Sequence, residues 1–280
     1  MTTAKVDSVE MSCAAQPWVT TVQHETSILL DLLSTGHALQ KWNFFESIML
    51  LQRAGEALSR WEEAMQSREA RKLSFATSLF RGVGGTQEPH LYTWLARLKA
   101  TMLSKFSLYF HQTLSNQTTP AEMRTLCSRL QVDHTARLSS FHKRLDCLSV
   151  SIMAALEAEG GQPGYQLPQQ TGHHQHWTGH DLFPTVYSTG SQPNHWPNVV
   201  MIITDQTEEL QQDKTIHFYD AGAGATYYLH MIELEPRFFI VVIFEGRRSE
   251  KDAAVNTFIQ ETAMQLRCSR IFACLKPGYK

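Results

Sequence analysis

Residues Phe238–Phe244 read FFIVVIF, an unbroken run of β-branched and aromatic side chains. That composition marks a β-strand. Successive strand side chains point to opposite faces, and here both faces are apolar. Such a strand belongs at the centre of a sheet, with helices covering both sides.

Shorter β-rich runs surround it: Val199–Thr204, Thr215–Tyr219 and Thr226–Ile232. The glycines of Ala221-Gly-Ala-Gly-Ala225 suit a tight connection, so the second and third runs form a hairpin. Glu235-Pro236 serves the third run and Phe238–Phe244 in the same way. From Ser249 to Arg267, Val255, Phe258, Thr262 and Leu266 restore helical spacing, and Arg270–Leu275 adds a last strand. Residues 196–280 are therefore expected to form a small α/β domain with a mainly antiparallel sheet flanked by helices.

Upstream, residues 160–195 are rich in Gly, Pro, Gln, His and Ser, the composition of a flexible linker. Residues 20–159 read as an antiparallel helical bundle. Val22–Leu33 leads into Phe44, Ile48, Leu51, Leu58, Trp61 and Met65, which share one helical face. Glu46, Arg53, Glu56 and Arg60 line the opposite, wet face. Gly82-Val-Gly-Gly85 breaks the chain, and Pro89 opens a helix with the wide apolar face Leu91, Trp94, Leu95, Leu98, Met102, Phe106, Tyr109 and Phe110. Thr119-Pro-Ala-Glu122 is a capping box with proline at the first helical position. Asp133 caps a further helix that keeps its spacing through Leu138, Phe141, Leu145, Leu148, Ile152 and Leu156 before Gly160-Gly161 ends it. The fold class expected is α+β, a bundle followed by a sheet domain, with residues 1–19 as a separate tail.

The 280 residues carry a formal net charge of −2 with scattered Lys and Arg, so nucleic acid is not expected as a partner. No apolar run approaches the ~20 residues that span a bilayer. The start, MTTAKVDSVEMSC, lacks the apolar core of a secretory signal, and the five cysteines show no CxxC pair. A reducing, cytoplasmic setting is expected.

His173, His174, His176, His180 and His195 form the one cluster resembling metal ligands. No cysteine or regularly spaced carboxylate accompanies it, so a solvated polar loop is the preferred reading. Asp205, after a presumed strand, with His217 and Asp220 suggests an acid/base group; the plainer reading makes Asp205 the cap of a turn. No nucleophile elbow or phosphate-binding loop is present. Catalytic, cofactor and metal residues are therefore not assigned. Trp177, His195 and Trp196 are the candidates for partner binding. Trp196 also reads as a packing residue at the start of its strand.

Specific blocks of sequence carry a resemblance. HLYTWLARLKATMLSKFSLYFHQTLSNQTTPAEM (His90–Met123), HWPNVVMIITDQTEEL (His195–Leu210), IHFYD (Ile216–Asp220), FFIVVIFEGRRSEKD (Phe238–Asp252) and IFACLKPG (Ile271–Gly278) resemble the KICSTOR subunit 2 family from about Thr20 onward. The resemblance implies a non-catalytic scaffold subunit without cofactor. Its implied partners are kaptin, an FG-GAP repeat protein, a large seizure-threshold scaffold protein and a GATOR-type Rag GTPase-activating complex. It further implies recruitment to the lysosomal surface and restraint of the mTOR kinase complex when amino acids or glucose run short. Family members carry a further helical stretch ahead of the matched part. A metal-dependent hydrolase built on the His-rich loop and Asp205 is the alternative. Homodimerisation through a sheet edge is compatible with either, and the sheet is longin- or roadblock-like by analogy alone.

Overall fold

The computed structural model describes residues 16–66, 90–155, 183–190, 193–233 and 237–274. Its centre is a five-stranded antiparallel sheet in the order β2-β1-β5-β4-β3. The strands are β1 (Ser149–Ala155), β2 (Thr185–Ser188), β3 (Ile216–Asp220), β4 (Ala225–Glu233) and β5 (Arg237–Glu245). The FFIVVIF strand is the middle one, as its two apolar faces require. Phe238, Ile240, Val242 and Phe244 join a core shared with the helical layer, and Phe239, Val241 and Ile243 join a second core on the opposite face.

The helical layer comprises α1 (Gln16–Gln40), α2 (Phe44–Gln66), α3 (His90–Tyr109), α4 (His111–Gln117), α5 (Pro120–Ser128) and α6 (His134–Leu145). α3 is its hub. Phe106 and Phe110 meet Phe44 at 5.4 and 5.2 Å between ring centroids. Tyr109, on the next turn, stacks on Phe238 of β5 at 4.7 Å and so joins helix to sheet. The Thr119 capping box closes both ways with Glu122, and the Asp133 side chain accepts from the Ala136 N–H, which fixes where α5 and α6 begin.

Several segments differ from their sequence reading. The helix begun at Asp133 stops at Leu145, where Asp146 turns left-handed with φ 49°. Residues 149–155 are then a strand that pairs with β5 rather than further helix. Leu145, Leu148 and Ile152 fit helical spacing, but the Ser149-Val150-Ser151-Ile152 alternation is that of a strand. Thr185–Ser188, within the presumed linker, pairs with β1 at the sheet edge. Val199–Thr204 is helical, inside α7 (Trp196–Asp205), which continues into α8 (Thr207–Gln211). Pro197 sits in the first turn, where no backbone N–H is needed, and Val199, Ile202, Ile203 and Leu210 cover the second core. Ser269–Ala273, overlapping the stretch expected as a last strand, is a short helix, α10, after α9 (Ala253–Leu266). Gly82–Gly85, Gly160-Gly161 and Glu235-Pro236 lie outside the described residues.

The expected β3–β4 hairpin forms, with Phe218 opposite Tyr227, and Gly224 adopts the positive φ of 62° that its turn requires. β4 then shifts register between Met231 and Glu233, so that Glu233 lies opposite Phe238. Directly paired residues share a face. The bulge therefore turns Glu233 toward the helical layer, where it forms an ion pair with Lys105 of α3. Both side chains are more than nine-tenths buried. Removing one partner strands the other charge, so Lys105→Met is expected to cost about 3–5 kcal/mol in urea unfolding. The double change Lys105→Met with Glu233→Leu should recover most of that loss, and equal losses in single and double variants would contradict the pairing.

Candidate functional site

The residues singled out in the sequence converge in part, on a polar cluster between α7 and the β3–β4 hairpin. His195 ends a 3₁₀ turn (Pro193–His195), and its Nδ1 lies 2.7 Å from the Tyr227 hydroxyl. Asn198, one helical turn further on, donates from Nδ2 to the Tyr227 hydroxyl at 2.9 Å and to Asp220 Oδ2 at 2.7 Å. Asp220 Oδ1 accepts from the Gly222 N–H at 2.8 Å. That backbone bond is the largest cause holding the Asp220 carboxyl below its ordinary range, and burial raises the Tyr227 phenol.

Both Asp220 oxygens and the Tyr227 hydroxyl are thus spent on internal bonds. The cluster fastens the start of α7 to the hairpin. His217 does not join it: as the neighbour of Phe218 it points to the other face, where its ring meets Tyr228 at 5.0 Å and Nε2 meets the Arg248 carbonyl at 3.0 Å. Asp205 is the exposed last residue of α7, and Gln206, not Asp205, precedes α8 as its N-cap. The acid/base group of Asp205, His217 and Asp220 is therefore not assembled. Trp177 and His173, His174, His176 and His180 lie outside the described residues. Among the described residues no three His, Cys, Asp or Glu side chains gather as metal ligands.

Trp196 opens α7 instead of a strand, and it packs half-buried against the second core. With Val199 it walls a cleft of about 530 Å³ whose floor is Ser149, Ser151 and Met153 of β1 and Val241 and Ile243 of β5. Sequence reasoning missed Asn198 and Tyr227. The signal was available: Asn198 stands three residues after His195, and Tyr227 alternates onto the same face as Leu229 and Met231.

Against this geometry the comparisons fall into place. A family model described as "KICSTOR complex C12orf66 like" matches residues 13–280. The chain belongs to that family. A zebrafish (Danio rerio) protein named KICSTOR subunit 2 is 40% identical over 267 residues, covering 92% of this chain. A Xenopus laevis protein of the same name is 35% identical over 266 residues, again 92% of this chain. The chain spans 58% of the length of each of these relatives. Within the family-matched region, the block His195–Leu210 forms the polar cluster's helix together with α8, and Phe238–Asp252 runs from the central strand to the α9 cap.

The cluster's structural role is testable. Tyr227→Phe removes the shared hydroxyl and is expected to destabilise the fold by about 0.5–1.5 kcal/mol in urea unfolding, while a change below a few tenths would contradict the role.

The titrating group with a strongly lowered imidazole lies elsewhere. His134, the buried first residue of α6, is pushed down to about 4, first by burial and then by the nearby Arg137. Between pH 6.5 and 4 the unfolded chain binds a proton that the folded chain refuses, so stability falls as pH falls. This one group should remove roughly 2 kcal/mol between pH 7 and pH 5. The pH slope of unfolding should be shallower by that amount in a His134→Gln variant, and an unchanged slope would contradict it.

Proposed function

We propose that the chain is a non-catalytic scaffold subunit of a KICSTOR-type complex, working by surface complementarity. The observation that carries this reading is the family match over residues 13–280, with relatives named KICSTOR subunit 2 at 40% and 35% identity. The geometry is in keeping with it. The polar groups of the candidate site tie elements together, and the described surface leaves large apolar side chains such as Phe45, Met49 and Met201 open to solvent.

In this reading the partners are kaptin, the FG-GAP repeat protein and the seizure-threshold scaffold protein, and the assembly tethers a GATOR-type complex at the lysosomal surface. Among the described residues no helix is long and apolar enough to cross a membrane. Nutrient shortage would act through this tether to restrain the mTOR kinase complex. Trp196 and His195 belong to the face of the sheet that carries α7, and the cleft beside Trp196 makes that face a natural contact surface.

The reading is tested by affinity purification of the tagged chain from cells, beside a longer relative under identical lysis. Co-purification of the KICSTOR subunits with both is the expected result. Recovery with the relative and none with this chain would overturn it.

A further inference from the structure

Strand β1 is buried over nearly its whole length, yet on one face it carries serine where its neighbour β5 carries large apolar residues. Ser149 lies opposite Ile243 and Ser151 opposite Val241. Directly paired residues share a face, so both serines turn toward the second core, to which Ile243 and Val241 belong. Ser149 is only 2% exposed and Ser151 7%. A sheet face built for burial alone would carry valine or leucine there. The small serines instead leave space, as the floor of the cleft of about 530 Å³ beside Trp196.

The hydroxyls of this floor have a defined direction. The Ser188 hydroxyl donates to the Gly190 carbonyl and accepts from the Gly190 N–H at 3.3 Å. A hydroxyl holds one proton, so in the 2.8 Å contact between Ser151 and Ser188 the donor is Ser151. Ser151 Oγ is left able only to accept. The Ser149 hydroxyl makes no hydrogen bond among the described residues, and it keeps both its proton and its lone pairs. A hydroxyl that is nine-tenths buried and unbonded is a group with a partner still to come.

We propose that the cleft binds a small, uncharged, flat molecule carrying a carboxamide or lactam edge. Such an edge sets a C=O acceptor beside an N–H donor. The carbonyl accepts the Ser149 proton, and the N–H donates to Ser151. The two serines stand one strand repeat apart, roughly 6–7 Å, which an amide flanked by two hydrogen bonds spans. The apolar body rests against Trp196, Phe183 and Val241, in the usual manner of a small-molecule pocket with apolar walls and a few convergent polar groups. Among the described residues that line the cleft none is charged, so an ion entering it would lose its hydration without gaining a partner. The site does not depend on the complex-subunit reading, and either can fail alone.

Proton–nitrogen correlation spectra of the purified full chain, titrated with benzamide, benzoate and benzamidinium, test it. The three probes share one shape and differ in charge. Benzamide should shift the Trp196 indole N–H and the Ser149 and Ser151 amides with roughly millimolar affinity, and leave the indoles of Trp61 and Trp94, buried in the other core, unmoved. Both charged probes should bind at least about tenfold more weakly. Ser149→Ala removes the unbonded hydroxyl, so it should weaken benzamide at least about fivefold without lowering the urea midpoint. Ser149→Val fills the cleft and should abolish the Trp196 shift; should that variant fail to fold, Ser149→Ala decides alone. No benzamide shift at Trp196, equal binding of all three probes, or a Ser149→Ala variant that binds unchanged or unfolds at lower urea would overturn the proposal.

Discussion

The two-faced burial of β5 is the constraint from which the remaining architecture follows. Its even-numbered side chains from Phe238 to Phe244 and its odd-numbered ones from Phe239 to Ile243 enter separate cores. Each such side chain stabilises the fold by roughly 1.5–3 kcal/mol when fully buried, and none could face water without forfeiting that. One side must be closed by the helical layer, through α3, α6 and α9, and the other by α7 and α8. The β4 bulge adds direction to this burial. By turning Glu233 onto Lys105 it places the buried charge pair between α3 and the sheet, where a shifted register would leave both charges unpaired.

What could be read beforehand was whatever local chemistry decides alone. The position of β5 followed from its two apolar faces, the β3–β4 hairpin from its glycines, and the starts of α5 and α6 from Thr119 and Asp133. What escaped was decided by tertiary context. Short apolar runs such as Val199–Ile203 satisfy strand and helix patterns alike, and only the need to cover the second core makes this one a helix. Leu145, Leu148 and Ile152 keep helical spacing across a real break, because the left-handed turn falls on Asp146 rather than on a glycine. β2 is four residues long and gains its place only by pairing with β1.

The candidate site shows the same division. Asp220 and His217 are near neighbours in sequence, but the strand period of two sends them to opposite faces of the sheet. Asp220 then meets His195 through Asn198 and Tyr227, residues whose contribution depends on where α7 lies. The blocks that resembled a family are therefore blocks with a job in the fold: α7 with its polar fastening, the central strand, and the α3 hub. The proposed scaffold role would need the surfaces held at fixed positions. The shared core on one face of β5 provides this, because α3 and the sheet bury side chains into one another.

Native-state hydrogen exchange measured against denaturant tests that coupling most directly. If β5 binds both layers into one cooperative unit, the slowest amides of α3 and of β5 should exchange through the same opening, with equal free energies and equal denaturant dependence. Exchange of the α3 amides at a distinctly lower free energy, while β5 remains protected, would contradict it.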